Sequence, residues 1–174
     1  MKRWAGFIAA GGEVLDLACG GGRHSRFLAG AGFRVCAVDR DAEALAALSG
    51  VPGVSVQVAD LERAPWPLEG RRFAGIVVTN YLYRPLSPHV LAALAEDGAL
   101  IYETFALGNE RFGKPSNPDF LLRPGELLEL ARGKLRVLAY EDLQVRVPRP
   151  AMVQRICAAG PQWNPQRPVA ERIS

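Results

Sequence analysis

The run Val14-Leu15-Asp16-Leu17-Ala18-Cys19-Gly20-Gly21-Gly22-Arg23-His24 is the segment of this sequence most plainly arranged for chemistry. A short apolar stretch leads into three glycines, and a helical pattern follows. Glycines let a chain turn tightly and let a ligand approach the main chain. The first N–H groups of the helix beyond them have no partner inside the helix. The pattern predicts a ligand seated on the loop, and nucleotide-type cofactors are the usual occupants. Asp39 ends the next apolar stretch, where a carboxylate is placed to hold both hydroxyls of a ribose; the alternative is a helix-capping residue beside Asp41. Asp60 ends the third stretch, where it either accepts from the amine of a base or starts the turn at Leu61-Glu62.

Nicotinamide dinucleotides are a competing ligand. Their loop reads G-x-G-x-x-G, and Gly20-x-Gly22 would need a third glycine where Ser25 stands. Asp16, just ahead of the glycines, is better tolerated by a phosphate-free cofactor than by a pyrophosphate. His24, at the start of the helix, either contacts a cofactor carboxylate or is a half-exposed helix-start residue. No third partner completes a Cys–His or Ser–His pair, so hydrolase chemistry is not supported. Of the 3 cysteines (Cys19, Cys36 and Cys157), no two have a metal or redox spacing, and Cys36 and Cys157 lie in apolar runs. No metal site is expected.

These residues need a scaffold that brings strand ends together. Apolar strands are expected at Val14–Leu17, Arg34–Asp39, Val54–Asp60, Phe73–Asn80 and Gly98–Phe105. Helices between them carry Phe27, Leu28 and Ala31; then Ala44, Leu45 and Leu48 behind an Asp41 cap; then a segment capped by Ser87 with Pro88 in its first turn, running to Glu96. Pro124–Arg132 predicts a further helix. Leu135–Val145 and Ala151–Ala159 read as strands joined only by residues 146–150, too short a link for a parallel crossover, so they must be antiparallel. The sum is an α/β fold with a Rossmann-like, doubly wound, mostly parallel seven-stranded sheet and an antiparallel C-terminal strand. Residues 1–160 form the expected domain, and residues 161–174, rich in proline and glutamine, an extended or frayed tail. Ligands of such sheets sit beyond the C-terminal strand ends.

The stretch from Ala106 to Leu122 is longer than a strand-to-helix link requires, and such loops are often functional lids. Its polar residues are Asn109, Glu110, Arg111, Lys114 and Asn117, with Phe112 and Phe120 able to pack over a ligand. With Tyr81, Tyr83, Arg84, Tyr102 and Glu103 they are the candidates for the side that receives a substrate; the alternative is a rigid surface loop pinned by its phenylalanines.

Composition bounds the rest. The chain has 174 residues, 49% of them apolar and 22% charged, enough for one ordinary core. A net charge of +3 is too small to argue for nucleic acid. No apolar run is long enough for a membrane helix, and the weakly signal-like start at residues 1–10 is rejected because a cut there would abut the first strand. A cytoplasmic location is expected, with a homodimer allowed.

VLDLACGGG, with Asp39 and Asp60 downstream and the terminal hairpin, resembles the class I S-adenosylmethionine-dependent methyltransferases, over residues 13 to about 159. The similarity is strongest to small single-domain bacterial members of the tellurite-resistance type and others acting on small molecules. By this resemblance Asp16, Ala18, Cys19, Gly20, Gly22 and His24 hold the amino-acid part of the cofactor, with Ala18 in place of the family's first glycine. Asp39 and Arg40 match the ribose-binding position, Asp60 and Leu61 the pair beside the adenine, and Asn80 the end of the fourth strand below the methyl group. Tyr81, Asn80 and Glu103 are then the catalytic candidates, and Tyr83, Arg84, Asn109, Arg111, Phe112 and Asn117 the acceptor-binding ones. Asn80-Tyr81-Leu82-Tyr83-Arg84-Pro85 lacks the Asn/Asp-Pro-Pro-aromatic motif of enzymes that methylate base or amide nitrogens. The family usually has a helix ahead of the first strand, over the substrate; only residues 1–12 stand there in this sequence. The implied activity is methyl transfer to a small molecule. An NAD-dependent oxidoreductase, a non-catalytic cofactor-binding protein and an RNA methyltransferase stay open as alternatives.

Overall fold

The structure, a computed structural model, describes residues 1–165. Strands β1 (Glu13–Leu17), β2 (Arg34–Asp39), β3 (Val54–Val58), β4 (Phe73–Thr79), β5 (Leu94–Phe105), β6 (Arg136–Val145) and β7 (Ala151–Ala159) form one sheet in the order β3-β2-β1-β4-β5-β7-β6. β1 to β5 run parallel, and β7 lies antiparallel between β5 and β6. The expected fold is therefore present. The strand order reverses between β1 and β4, so the loops leaving these two strands diverge and open a crevice at their C-terminal ends.

Both faces of the sheet are apolar because parallel strands are covered on both sides. On one face Leu15, Leu17, Ile76, Val78 and Leu100 pack with Val90 and Ala93 of α3 (Ser87–Ala93) and with Leu127 and Ala131 of α4 (Glu126–Ala131). On the other, Val14, Val77 and Ile101 meet Leu28 of α1 (Arg23–Gly30) and Trp4, Ala5 and Ile8. The last three belong to a 3-10 helix at Lys2–Phe7 and the residue that ends it. The segment ahead of β1 is thus a cover for the sheet face; burying Trp4 and Ile8 there contributes about 1.5 to 3 kcal/mol each. A short α2 (Ala42–Ala46) is capped as expected: the Asp41 carboxylate accepts from the Ala44 N–H at 3.0 Å.

Several boundaries differ from the sequence expectation. β3 stops at Val58, the last residue paired with β2, so Asp60 lies in the loop beyond the strand. Ser87 caps nothing with its side chain, because a 3-10 turn at Arg84–Leu86 runs directly into α3; Pro88 does sit in the first turn. α3 ends at Ala93 instead of Glu96, and β5 begins at Leu94, which pairs with Phe73 ahead of a register shift. Gly98 accommodates that irregularity: a Cβ there would lie 2.9 Å from the Phe73 carbonyl oxygen.

The tail, expected from its composition to be extended or frayed, is docked at its start. Trp163 meets Phe7 edge-to-face at 6.0 Å, and its Nε1–H donates to the Phe7 carbonyl at 3.2 Å. The Gln162 N–H donates to the Glu96 carbonyl at 2.9 Å. Residues 166–174 of the expected tail lie outside the described residues. Because Trp163 ties down the 3-10 helix that covers one sheet face, Trp163→Ala should lower the unfolding free energy by about 1 to 2 kcal/mol in a urea titration. An unchanged midpoint would show that residues past Gly160 contribute nothing to the fold.

Candidate functional site

The glycine loop is held by its neighbours. The Cys19 N–H donates to the Val38 carbonyl at 3.0 Å, continuing the β1–β2 ladder past the strand. The Gly20 N–H donates to Asp39 Oδ2 at 2.7 Å, and Asp39 Oδ1 accepts the Asp41 N–H at 3.0 Å. Arg26 fastens the outer side, donating to the Gly21 carbonyl at 2.6 Å and the Ala47 carbonyl at 2.5 Å. Sequence reasoning missed this role because a helical arginine one turn past a loop looks like any surface charge.

The glycines differ in purpose. Gly20 (φ 51°) has nothing within 4 Å of a Cβ built on it, so its open side faces free space. Gly22 (φ 70°) would drive a Cβ to 2.4 Å from the Leu48 side chain, so left-handed backbone and close packing both favour glycine there. Ala18, in the position where the resembled family has glycine, has φ 52°. Asn80, directly after β4, has φ 55°. These are the two non-glycine residues in the left-handed region among the described residues. They stand at the ends of the two strands that flank the switch point, and left-handed backbone costs an alanine roughly 1 to 2 kcal/mol.

Asp16 is buried at the end of β1 beneath this loop. Its Oδ2 accepts from the Ser25 hydroxyl at 2.6 Å, while Oδ1 is buried with no hydrogen-bond partner. Burial pushes its carboxyl up to about 6 despite the Ser25 bond. An orphaned buried carboxylate oxygen, on the strand that leads into the glycine loop, calls for a cationic donor. Cys19 is no nucleophile: burial, and then Asp16 and Asp39, push its thiol up to about 12. His24 lies half-buried on the first turn of α1, with Nε2 at 3.2 Å from Arg23 and Nδ1 without a partner. Burial and then the Arg23 charge push it down to about 4, leaving a neutral imidazole.

Three cavities follow one another along the C-terminal strand ends. The first, about 170 Å³, is lined by Ala18, Asp39, Arg40, Ala59, Asp60, Leu61, Glu62 and Tyr81. The second, about 420 Å³, shares Arg40, Glu62 and Tyr81 with the first and adds Asn80, Leu82, Thr104, Phe105, Pro115 and Phe120. The third, about 510 Å³ and wide open, shares Asn80, Phe105, Pro115 and Phe120 with the second and adds Lys114, Ser116, Asn117 and Arg149. Asn80 and Tyr81 thus stand at the junctions. The Tyr81 hydroxyl is buried without a partner, and its pKa is raised by burial, then by Glu62 and Tyr83, so it stays protonated. Asp60 uses Oδ1 to accept the N–H groups of Glu62 (3.0 Å) and Arg63 (3.1 Å), so it serves the turn and still lines the first cavity.

The structure gathers Ala18, Asp39, Arg40, Asp60, Leu61, Asn80 and Tyr81 around these cavities, and sets several other candidates apart. Glu103 is ion-paired with Arg155 at 2.7 Å and lines none of the three. Its register partner on β7 is Arg155, so the two side chains pair across the strands, whereas Thr104 and Phe105 at the strand end reach the second cavity. Arg84 forks onto Glu126 at 2.6 and 3.0 Å and donates to the carbonyls of Asp119 and Leu121, so it clamps the long loop to α4. Asn109 is buried, donating to the Pro115 carbonyl at 2.9 Å and accepting from the Met152 N–H at 3.3 Å. Arg111 folds back on the Gly108 carbonyl and lies over Phe112, away from the cavities. The Tyr83 hydroxyl donates to the Glu62 carbonyl at 3.3 Å, and its ring lines a small cleft with Leu86 and Tyr102. Asn117 reaches the third cavity while its Oδ1 accepts the Asp119 N–H. Arg149, in the β6–β7 connection, was missed for want of any local signal. Among the described residues no three His, Cys, Asp or Glu side chains come together to hold a metal, and no helix is long and apolar enough to cross a membrane.

Residues 14–98 match the family model of a methyltransferase domain. No curated protein matches the chain. Among solved structures, TehB from Haemophilus influenzae superposes with a TM-score of 0.72 at 20% identity, covering 86% of this chain and 57% of that one. A TehB-like SAM-dependent methyltransferase from Corynebacterium glutamicum gives 0.65 at 20% identity, covering 92% and 88%. The [4+2]-cyclase SpnF gives 0.68 at 14% identity, covering 88% and 76%. The chain spans little more than half the length of the Haemophilus protein, and at these identities the likeness is one of fold. The resemblance read from VLDLACGGG and its downstream acids accords with both findings: the matching model describes a methyltransferase domain, and the fold is shared with TehB and the TehB-like protein.

Proposed function

We propose that this chain, in which residues 14–98 form a domain of the methyltransferase family, transfers the methyl group of S-adenosylmethionine to a small-molecule acceptor. The observation that carries this reading is the placement of carboxylates. Asp39 and Asp60, from the exits of two adjacent strands, line the first cavity, and Asp16 lies buried on the third, ahead of a loop whose Gly20 has open space where a side chain would be. S-adenosylmethionine brings a sulfonium and an ammonium and no phosphate, so it suits an acidic site that would repel the pyrophosphate of a dinucleotide.

On this reading Asp16 Oδ1 and the open Gly20 face hold the amino-acid part of the cofactor, and Asp39 holds the ribose with its remaining lone pairs. Asp60 and Leu61 flank the base. The cofactor supplies an activated methyl group, so the protein's task is positioning, and holding a nucleophile in line about 3 Å away can supply most of the acceleration. Asn80 and Tyr81, between the first cavity and the two wider ones, present the acceptor. Protonated Tyr81 donates a hydrogen bond and is no general base. His24 and Glu103 take no direct part. The domain spans residues 1–160, with the docked start of the tail completing it, and the protein works in the cytoplasm without nucleic acid, as a monomer or homodimer.

Two measurements test this. Protein incubated with methyl-labelled S-adenosylmethionine and a cell extract should place label in the low-molecular-weight fraction. Label confined to RNA or protein would overturn the small-molecule acceptor, and no transfer would leave a cofactor-binding protein. The second measurement is pH-dependent. The folded Asp16 carboxyl titrates near 6, above its ordinary 3.8, so below pH 6 it is protonated and cannot pair with the cofactor's ammonium. Affinity should therefore rise about tenfold between pH 5 and 7, as the ionised fraction does. The slope should vanish in Asp16→Asn, which binds weakly throughout; a wild-type affinity independent of pH would remove Asp16 from the site.

A further inference from the structure

We propose that the acceptor is an organic anion, a carboxylate-type group on an apolar and preferably aromatic body, and that Lys114 and Arg149 hold its anionic end. The inference deepens the methyltransferase reading and rests on it. The three cavities change character along their length. The first is walled by Asp39, Asp60 and Glu62, with Arg40 as its single cation. The second keeps Arg40 and Glu62, which oppose each other in charge, and is otherwise lined by Asn80 and apolar or neutral side chains. The third has Lys114 and Arg149 and no acid.

Neither cation has an ion-pair or hydrogen-bond partner among the described residues, a property they share with the side chains of Arg34, Arg40, Arg63, Lys134 and Arg146. Lys114 and Arg149 come from segments far apart in sequence, the long loop after β5 and the β6–β7 connection, and converge on one cavity. Both are exposed, so each alone would be an ordinary solvated charge. Their surroundings set them apart. Phe120 is 52% exposed and lines the second and third cavities with Phe105 and Pro115, an apolar surface between the cations and Asn80. A molecule that covers Phe105 and Phe120 and reaches Lys114 and Arg149 with an oxyanion leaves its other end at Asn80 and Tyr81, where the methyl group is to be delivered. The arrangement separates the charges of the two ligands: a cationic cofactor over carboxylates, an anionic acceptor over an ammonium and a guanidinium.

The test uses the full chain saturated with S-adenosylhomocysteine, titrated with 3-phenylpropanoate and with its neutral amide. The acid should bind about tenfold more tightly than the amide at low salt, the scale of two partly exposed ion pairs. That advantage should shrink as salt is added. In the double variant Lys114→Gln, Arg149→Gln the preference should disappear while S-adenosylhomocysteine affinity stays at the wild-type value, since neither side chain lines the first cavity. Equal binding of acid and amide, binding of neither, or a preference that survives in the double variant would each overturn the proposal. Failure of S-adenosylhomocysteine to bind is a separate outcome: it would overturn the methyltransferase reading, and this proposal with it.

Discussion

The site depends on one hydrogen bond, from the Gly20 N–H to Asp39 Oδ2 at 2.7 Å across 19 residues of sequence. A glycine-rich turn has no side chains with which to hold itself, and glycine loses more freedom on folding than any other residue. Asp39 supplies the missing restraint from the end of the neighbouring strand, with a charge-assisted bond of the stronger kind. The same carboxylate accepts the Asp41 N–H and thereby sets the start of α2. α2 in turn leads to Leu48, which occupies the space a side chain at Gly22 would need. Loop, strand end and helix are fixed together, and the carboxylate that fixes them faces the first cavity.

Strain and charge concentrate where the strand order reverses. Ala18 and Asn80 adopt left-handed backbone at the ends of β1 and β4, the strands on either side of that reversal. Both line the cavities, and both turn the chain away from the sheet so that a ligand can approach the main chain. The buried Asp16 carboxylate, held by Ser25 on one oxygen only, lies one strand residue from the same place. A fold optimised for stability alone would have glycine at position 18 and a second donor for Asp16. Their absence marks the region in which stability gives way to binding.

Much of this was legible in the sequence. Strand–glycine–helix spacing and the acids at or just beyond the strand ends pointed to the first cavity, and the five-residue link after Val145 fixed the antiparallel hairpin. Legibility failed where a contact spans distant segments. Arg84 looked like a substrate-side cation, but its partner Glu126 is 42 residues away, and nothing local announces the pairing. Asn109 was read as a pocket residue because the loop around it is long and polar; it is instead the buried peg that ties that loop to β7 through Met152. Alternation along β5 gives Glu103 the same parity as cavity-lining Phe105, and its partner Arg155 lies 52 residues away on β7, so nothing local sets it apart. The start of β5 was equally hidden, because its register shift depends on how Phe73 packs across from Leu94.

The central claim is that acidic strand ends around the Gly20 loop select a phosphate-free, cationic cofactor, with Asp39 as the ribose contact. Its most direct test is calorimetric titration of the wild-type chain and of Asp39→Ala with S-adenosylmethionine and with NAD. The account requires that wild type bind S-adenosylmethionine and not NAD, and that Asp39→Ala lose about 2 to 3 kcal/mol of that binding, the scale of charge-assisted hydrogen bonds, while keeping a folded far-UV spectrum. Binding of NAD, or unchanged S-adenosylmethionine affinity in a folded Asp39→Ala, would contradict it.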